Sequence, residues 1–135
     1  MRYPIRLGRR SRPLLRLFGV RGPDDAWVEL DGPELRARFG FARVRTPLVN
    51  IARWRIEGPW RWITAIGIRR SIRGGDLSFA GSPHGGVRLD FREPVRYGPL
   101  RPRVLYVAVD DLEGLAAALA ERGIPGEDGR AARAR

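Results

Sequence analysis

Three stretches of this chain alternate apolar and charged residues one by one, and that period of two narrows what the backbone can be. Leu35, Ala37 and Phe39 are separated by Arg36 and Arg38; Ala52, Trp54 and Ile56 by Arg53 and Arg55; Val87, Leu89 and Phe91 by Arg88 and Asp90. Successive side chains take opposite faces only in a strand, so each stretch predicts a half-buried strand. After Phe39 the alternation runs on to Phe41 and then slips, because Arg43 and Arg45 occupy the parity of the Phe residues. A bulge or a strand break is expected there.

Leu14 to Val20, Ala26 to Leu30, Thr64 to Arg73, Leu77 to Ala80 and Val104 to Val109 are rich in branched or aromatic residues and end at Gly, Pro or Asp. They are added as strands, which brings the total to about eight short strands at spacings of roughly 8–12 residues. Gly22 to Asp25, Asp31 to Pro33 and Arg73 to Asp76 supply turns, the last joining Ser71 to Leu77 in a hairpin. Gly81 to Gly86 is a longer loop. One segment has the helical period. Asp110 and Glu113 form a capping box, Leu112, Leu115, Ala116 and Leu119 make one apolar stripe, and Gly123 with Ile124 and Pro125 closes a helix over 110–123.

The expected fold is mainly β: a small antiparallel barrel or two-sheet roll closed by one C-terminal α-helix. The expected boundaries are a basic tail over 1–12, one domain over 13–124 and a flexible tail over 125–135. The runs IARWRIEGPWRWITAIGIRRSIRGGDLSFAG, GGVRLDF and LYVAVDDLEGLAAALAERG resemble a family of short, uncharacterised proteins of high-GC actinobacteria. The resemblance spans roughly Leu35 to Ile124. It implies a pleckstrin-homology-like layout and brings no activity with it.

The chain has 135 residues, 26 basic and 15 acidic side chains and a formal net charge of +11, with every basic residue except His84 an arginine. Charge of this size draws polyanions over long range. The absence of lysine gives the charge a second source, a codon bias that places arginine at any solvated position. No cysteine is present, which removes disulfides, thiolate nucleophiles and cysteine zinc sites. Arg9 and Arg10 before Leu14, Leu15, Leu17 and Phe18 resemble a twin-arginine signal, but Arg16 and Arg21 interrupt its apolar region. The expected location is therefore cytoplasmic, with any membrane contact peripheral to the inner face.

Catalytic material is sparse. His84 is the sole histidine and reads as an exposed turn residue; Asp24 and Asp25 lie in a turn, and Asp110 and Asp111 cap a helix. No catalytic group, metal site or cofactor is assigned, and the chain reads as a non-enzymatic binding module. Asp76 to Gly81 matches the DxSxxG half of the PilZ signature, whose RxxxR half would bind cyclic di-GMP with it. Here Arg69 and Arg73 have that spacing but directly precede Asp76, and Arg12 and Arg16 lie too far upstream.

The strongest functional feature is the middle of the chain. Between Arg36 and Arg73 ten arginines face one acid, Glu57, with Trp54, Trp60 and Trp62 interleaved. Trp54 shares the parity of Ala52 and Ile56 and is assigned to the core. Trp60 and Trp62 divide between packing under a loop and surface recognition. The candidate binding residues are Arg36, Arg38, Arg53, Arg55, Arg61, Arg69, Arg70, Arg73, Trp60 and Trp62. Their expected partner is an anionic membrane surface or an acidic protein. Nucleic acid is the alternative, supported by the same charge, and a PilZ-like cyclic di-GMP receptor is a further one.

Overall fold

The structure is a computed structural model that describes residues 1–8, 12–58, 67–71, 76–80, 84–97 and 101–129. Its strands form two sheets. The first is the antiparallel meander β1 (Arg2–Pro4), β2 (Ala26–Asp31), β3 (Glu34–Phe39) and β4 (Ala42–Pro47), in that order. The second contains β5 (Ile51–Glu57), β6 (Gly67–Ser71), β7 (Asp76–Ala80), β8 (Gly86–Phe91), β9 (Val104–Val107) and β10 (Gly126–Asp128), in the order β10-β5-β8-β9-β7-β6. The β7–β9 and β10–β5 pairs are parallel, so this sheet is mixed where an antiparallel one is expected. The two sheets are not closed into a barrel.

Alternation decides which face is buried. Leu35, Ala37 and Phe39 of β3 point inward, as do Val28 and Leu30 of β2 and Val87 and Leu89 of β8. Phe39 of the first sheet stacks on Phe79 of the second, with ring centroids 5.8 Å apart, so the core lies between the sheets. The slip expected after Phe41 is a strand break that comes two residues earlier: β3 ends at Phe39, Gly40 and Phe41 form a two-residue connection, and Phe39 pairs with Ala42. In β5 the register shifts between Ile51 and Arg53. Ile51 and Ile56 are buried there, while Trp54 is half-buried and packs on the core, its indole N–H donating to the Ile124 carbonyl at 3.0 Å.

Helix α1 (Arg12–Leu15) and a 3-10 turn (Arg16–Phe18) replace the strand expected over Leu14 to Val20. Pro13 suits the first helical turn, leucine favours helix, and Gly19, at φ 85°, takes a left-handed conformation that stops it. The expected tail over 1–12 is overturned at its start. Residues Arg2–Pro4 pair with β2, Tyr3 and Ile5 are buried, and Ile5 bridges Val109. Residues Gly126–Asp128, expected as tail, form an edge strand beside β5.

Helix α2 (Leu112–Glu121) packs Leu112, Leu115, Ala116, Ala118 and Leu119 inward, with β5 and β8 as its main neighbours. Its cap is Asp111, whose carboxylate accepts the Gly114 N–H at 2.9 Å, and not Asp110. Asp110 is held elsewhere, its N–H on the Pro4 carbonyl and its carboxylate 2.6 Å from Arg6. The far end closes as expected. Gly123 is left-handed at φ 80°, the Ile124 N–H returns to Leu119 and the Gly123 N–H to Ala120.

Candidate anionic-partner interface

The arginines counted along the chain do not share one sheet. Arg36 and Arg38 lie on β3, Arg53 and Arg55 on β5, and Arg69 and Arg70 on β6. Arg69 pairs in register with Ser78 and Arg70 with Leu77. Trp60, Arg61, Trp62 and Arg73 lie outside the described residues.

Strand pairing also brings acids beside the arginines that the linear count keeps apart. Glu29 stands opposite Arg36, which reaches Glu29, Glu34 and Asp31. Arg38 meets Asp25 at 3.3 Å and Arg45 meets Glu34 at 2.7 Å. On the second sheet Arg53 and Arg88 share Asp90, and Arg55 reaches Glu127 at 3.6 Å. Burial pulls the Asp90 carboxyl upward, but the hydrogen bonds and charges of Arg53 and Arg88 outweigh it and hold the group below its usual range. The sheet faces are therefore mixed-charge lattices.

Positive charge without a carboxylate partner among the described residues is concentrated at two other places. The first is the segment after β8, where Arg92, Arg96, Arg101 and Arg103 are all exposed. Asn50 fastens it: its side-chain amide donates to the Glu93 carbonyl at 3.0 Å and accepts the Glu93 N–H at 2.9 Å, while its own carbonyl accepts the Arg92 N–H. A cavity of about 510 Å³ opens there, lined by Arg45, Val49, Arg92 and Arg96 among others. The same counting of arginine against acid finds this segment, since residues 92–103 carry four arginines and one glutamate. It lies outside the window between Arg36 and Arg73.

The second place is the corner where the β3–β4 turn meets the 3-10 turn. Arg16, Arg21 and Arg43 are exposed there. A cavity of about 450 Å³ has Ile5, Leu15 and Val20 in its lining and Arg6, Arg16 and Arg21 among its polar residues. Phe41, in the β3–β4 turn, is 81% exposed, and Leu17, in the 3-10 turn, is 75% exposed.

The remaining candidates have structural roles. His84 is half-buried, with Nε2 2.8 Å from the Val109 carbonyl, which corrects its reading as an exposed turn residue. The DxSxxG residues Asp76 to Ala80 form β7, a strand paired on both sides. No group of three metal-ligating side chains occurs among the described residues, and no helix among them is long and apolar enough to cross a membrane. Compared with protein-family models, curated proteins and solved structures, the chain matches none.

Proposed function

We propose that this chain is a non-enzymatic binding module whose partner is anionic, either a membrane leaflet or a protein with an acidic patch. The observation that carries the reading is the distribution of unpaired charge. Acids on neighbouring strands engage Arg36, Arg53 and Arg55 and Asp25 in the turn before β2 engages Arg38, while Arg16, Arg21, Arg43, Arg92, Arg96, Arg101 and Arg103 have no carboxylate partner among the described residues. Guanidinium groups left over in this way offer planar donors to phosphate or carboxylate. The binding surface accordingly moves from the strand faces to the two corners. A pleckstrin-homology-like kinship belongs to the same proposal, and two facing sheets with a C-terminal helix are compatible with it.

Nucleic acid is the competing partner, favoured by the four exposed arginines of the 92–103 segment. Binding to phosphatidylglycerol vesicles, to poly-glutamate and to mixed-sequence DNA and RNA, measured side by side over a salt series, separates these partners. The proposal expects vesicle or poly-glutamate binding that weakens as salt rises, because screening acts over about 8 Å at physiological ionic strength. A steep logarithmic salt slope on polynucleotide with no vesicle or poly-glutamate binding transfers the function to nucleic acid. Absence of binding to every polyanion at moderate salt refutes the reading and leaves the arginine excess as composition.

A further inference from the structure

The corner formed by Leu17, Gly19 and Phe41 combines features that the rest of the surface keeps apart. Gly19 has no Cβ, and the Phe41 ring lies over it so closely that a Cβ there would be 2.8 Å from Cε1 and Cζ. The β3–β4 turn is thereby seated on the 3-10 turn. Leu17, two residues along, lies within the roughly 7 Å that two residues of chain can span. Phe41, 81% exposed, and Leu17, 75% exposed, thus stand on two adjoining turns. Isolated exposed apolar residues are ordinary, but two on adjoining turns with exposed arginines close by in the chain mark a contact surface.

The electrostatics of the corner point the same way. Arg16 adjoins Leu17 in the chain, Arg21 follows Val20, and Arg43 is the second residue of β4. Nearby acids are already engaged: Asp25 by Arg38 and by the Arg21 N–H, Asp110 by Arg6. Asp24 alone leaves the three arginines in excess. Arg43 stands opposite Arg38 in the register, and with Asp25 engaged by Arg38 it is Arg43 that is left for an incoming anion. Beside these groups opens the 450 Å³ cavity, its apolar lining of Ile5, Leu15 and Val20 accompanied by Arg16, Arg21 and the Arg6–Asp110 ion pair, which leaves two arginines in excess.

We infer that this corner docks on an anionic lipid bilayer. Phe41 and Leu17 enter the boundary between headgroups and acyl chains, Arg16, Arg21 and Arg43 meet lipid phosphates, and the cavity receives one headgroup. The inference rests on the anionic-partner reading and selects the bilayer as the source of the anion. Leu17 decides for lipid: an exposed leucine has nothing to gain from a phosphate backbone or an acidic peptide, whereas the interfacial zone takes up apolar side chains and attracts arginine together.

The test uses the whole chain, which has no cysteine, so that one introduced thiol is labelled uniquely. Phe41→Cys and Arg53→Cys are each coupled to an environment-sensitive fluorophore. They are mixed with vesicles of phosphatidylcholine, alone or with a third replaced by phosphatidylglycerol. The unlabelled pairs Leu17→Ser with Phe41→Ser, Arg16→Glu with Arg21→Glu, and Arg53→Glu with Arg55→Glu are compared by co-sedimentation. Circular dichroism confirms that each is folded. The inference expects a blue shift at position 41 and none at 53 on the anionic vesicles. It expects both corner pairs to weaken binding about tenfold or more, and the Arg53/Arg55 pair to change it much less. Vesicle binding that is lost with Arg53 and Arg55 and indifferent to the corner overturns the inference and leaves the anionic-partner reading standing. Binding to poly-glutamate or polynucleotide without vesicle binding overturns it as well. No binding to any of these refutes both.

Discussion

Asp90 stands between two arginines on the outer face of the second sheet, its oxygens 2.6 Å from Arg53 Nε and 2.9 Å from Arg88 Nε. A carboxyl whose folded pKa is depressed stabilises the fold above its unfolded value, near 4, and loses that contribution as pH falls through the folded value. Asp90→Asn should therefore cost about 1 kcal/mol at neutral pH, since it leaves two guanidinium groups without their shared acceptor. Urea titrations from pH 7 to pH 2 should show the gap between variant and parent closing toward the acid end. A gap that is constant with pH would assign the loss to packing. This pairing is not legible in the sequence. Arg53 and Asp90 are 37 residues apart, and only the β5–β8 register makes them neighbours. A count over a sequence window sees Arg53 and Arg55 as free charge for the same reason.

At the scale of elements, legibility follows how local the deciding interactions are. The strands β3, β5 and β8 and the helix α2 carry their periods in consecutive residues, and Gly123 with Ile124 is a local stop. Asp110 and Asp111 are both able caps. The choice between them falls to the Pro4 carbonyl and Arg6, far away in the chain. Leu14 to Val20 is apolar on both parities, so its composition suits a strand or a buried helical turn equally, and Pro13 and Gly19 tip it to the turn. In α2, Leu115 and Leu119 are fully buried. Replacing either with Ala should cost ~2–5 kcal/mol from lost burial and the cavity left behind. The midpoint of thermal unfolding reads this directly, and a variant melting with the parent would mean that the helix is dispensable to the core.

At the scale of the whole molecule, residues near the start of the chain join the two sheets. The Ile5 N–H donates to Ala26 in the first sheet, while the Arg6 N–H goes to Ala108 and the Asp110 N–H returns to Pro4 beyond the end of β9. A chain lacking residues 1–6 loses the buried side chains of Tyr3 and Ile5 together with this joint. At about 2–5 kcal/mol for each large side chain, that loss is comparable with the roughly 5–15 kcal/mol that keeps a typical domain folded. The shortened chain should be largely unfolded at 25 °C by circular dichroism; a dispensable tail would leave its melting unchanged. The same joint governs the order in which a nascent chain can fold. The first sheet pairs neighbouring strands and is complete once Pro47 has left the ribosome, but Arg6 waits for Asp110, 104 residues later. At about 5–20 residues per second of synthesis, the apolar side of that sheet stays uncovered for several seconds, a window in which a holdase chaperone or a neighbouring nascent chain reaches it first.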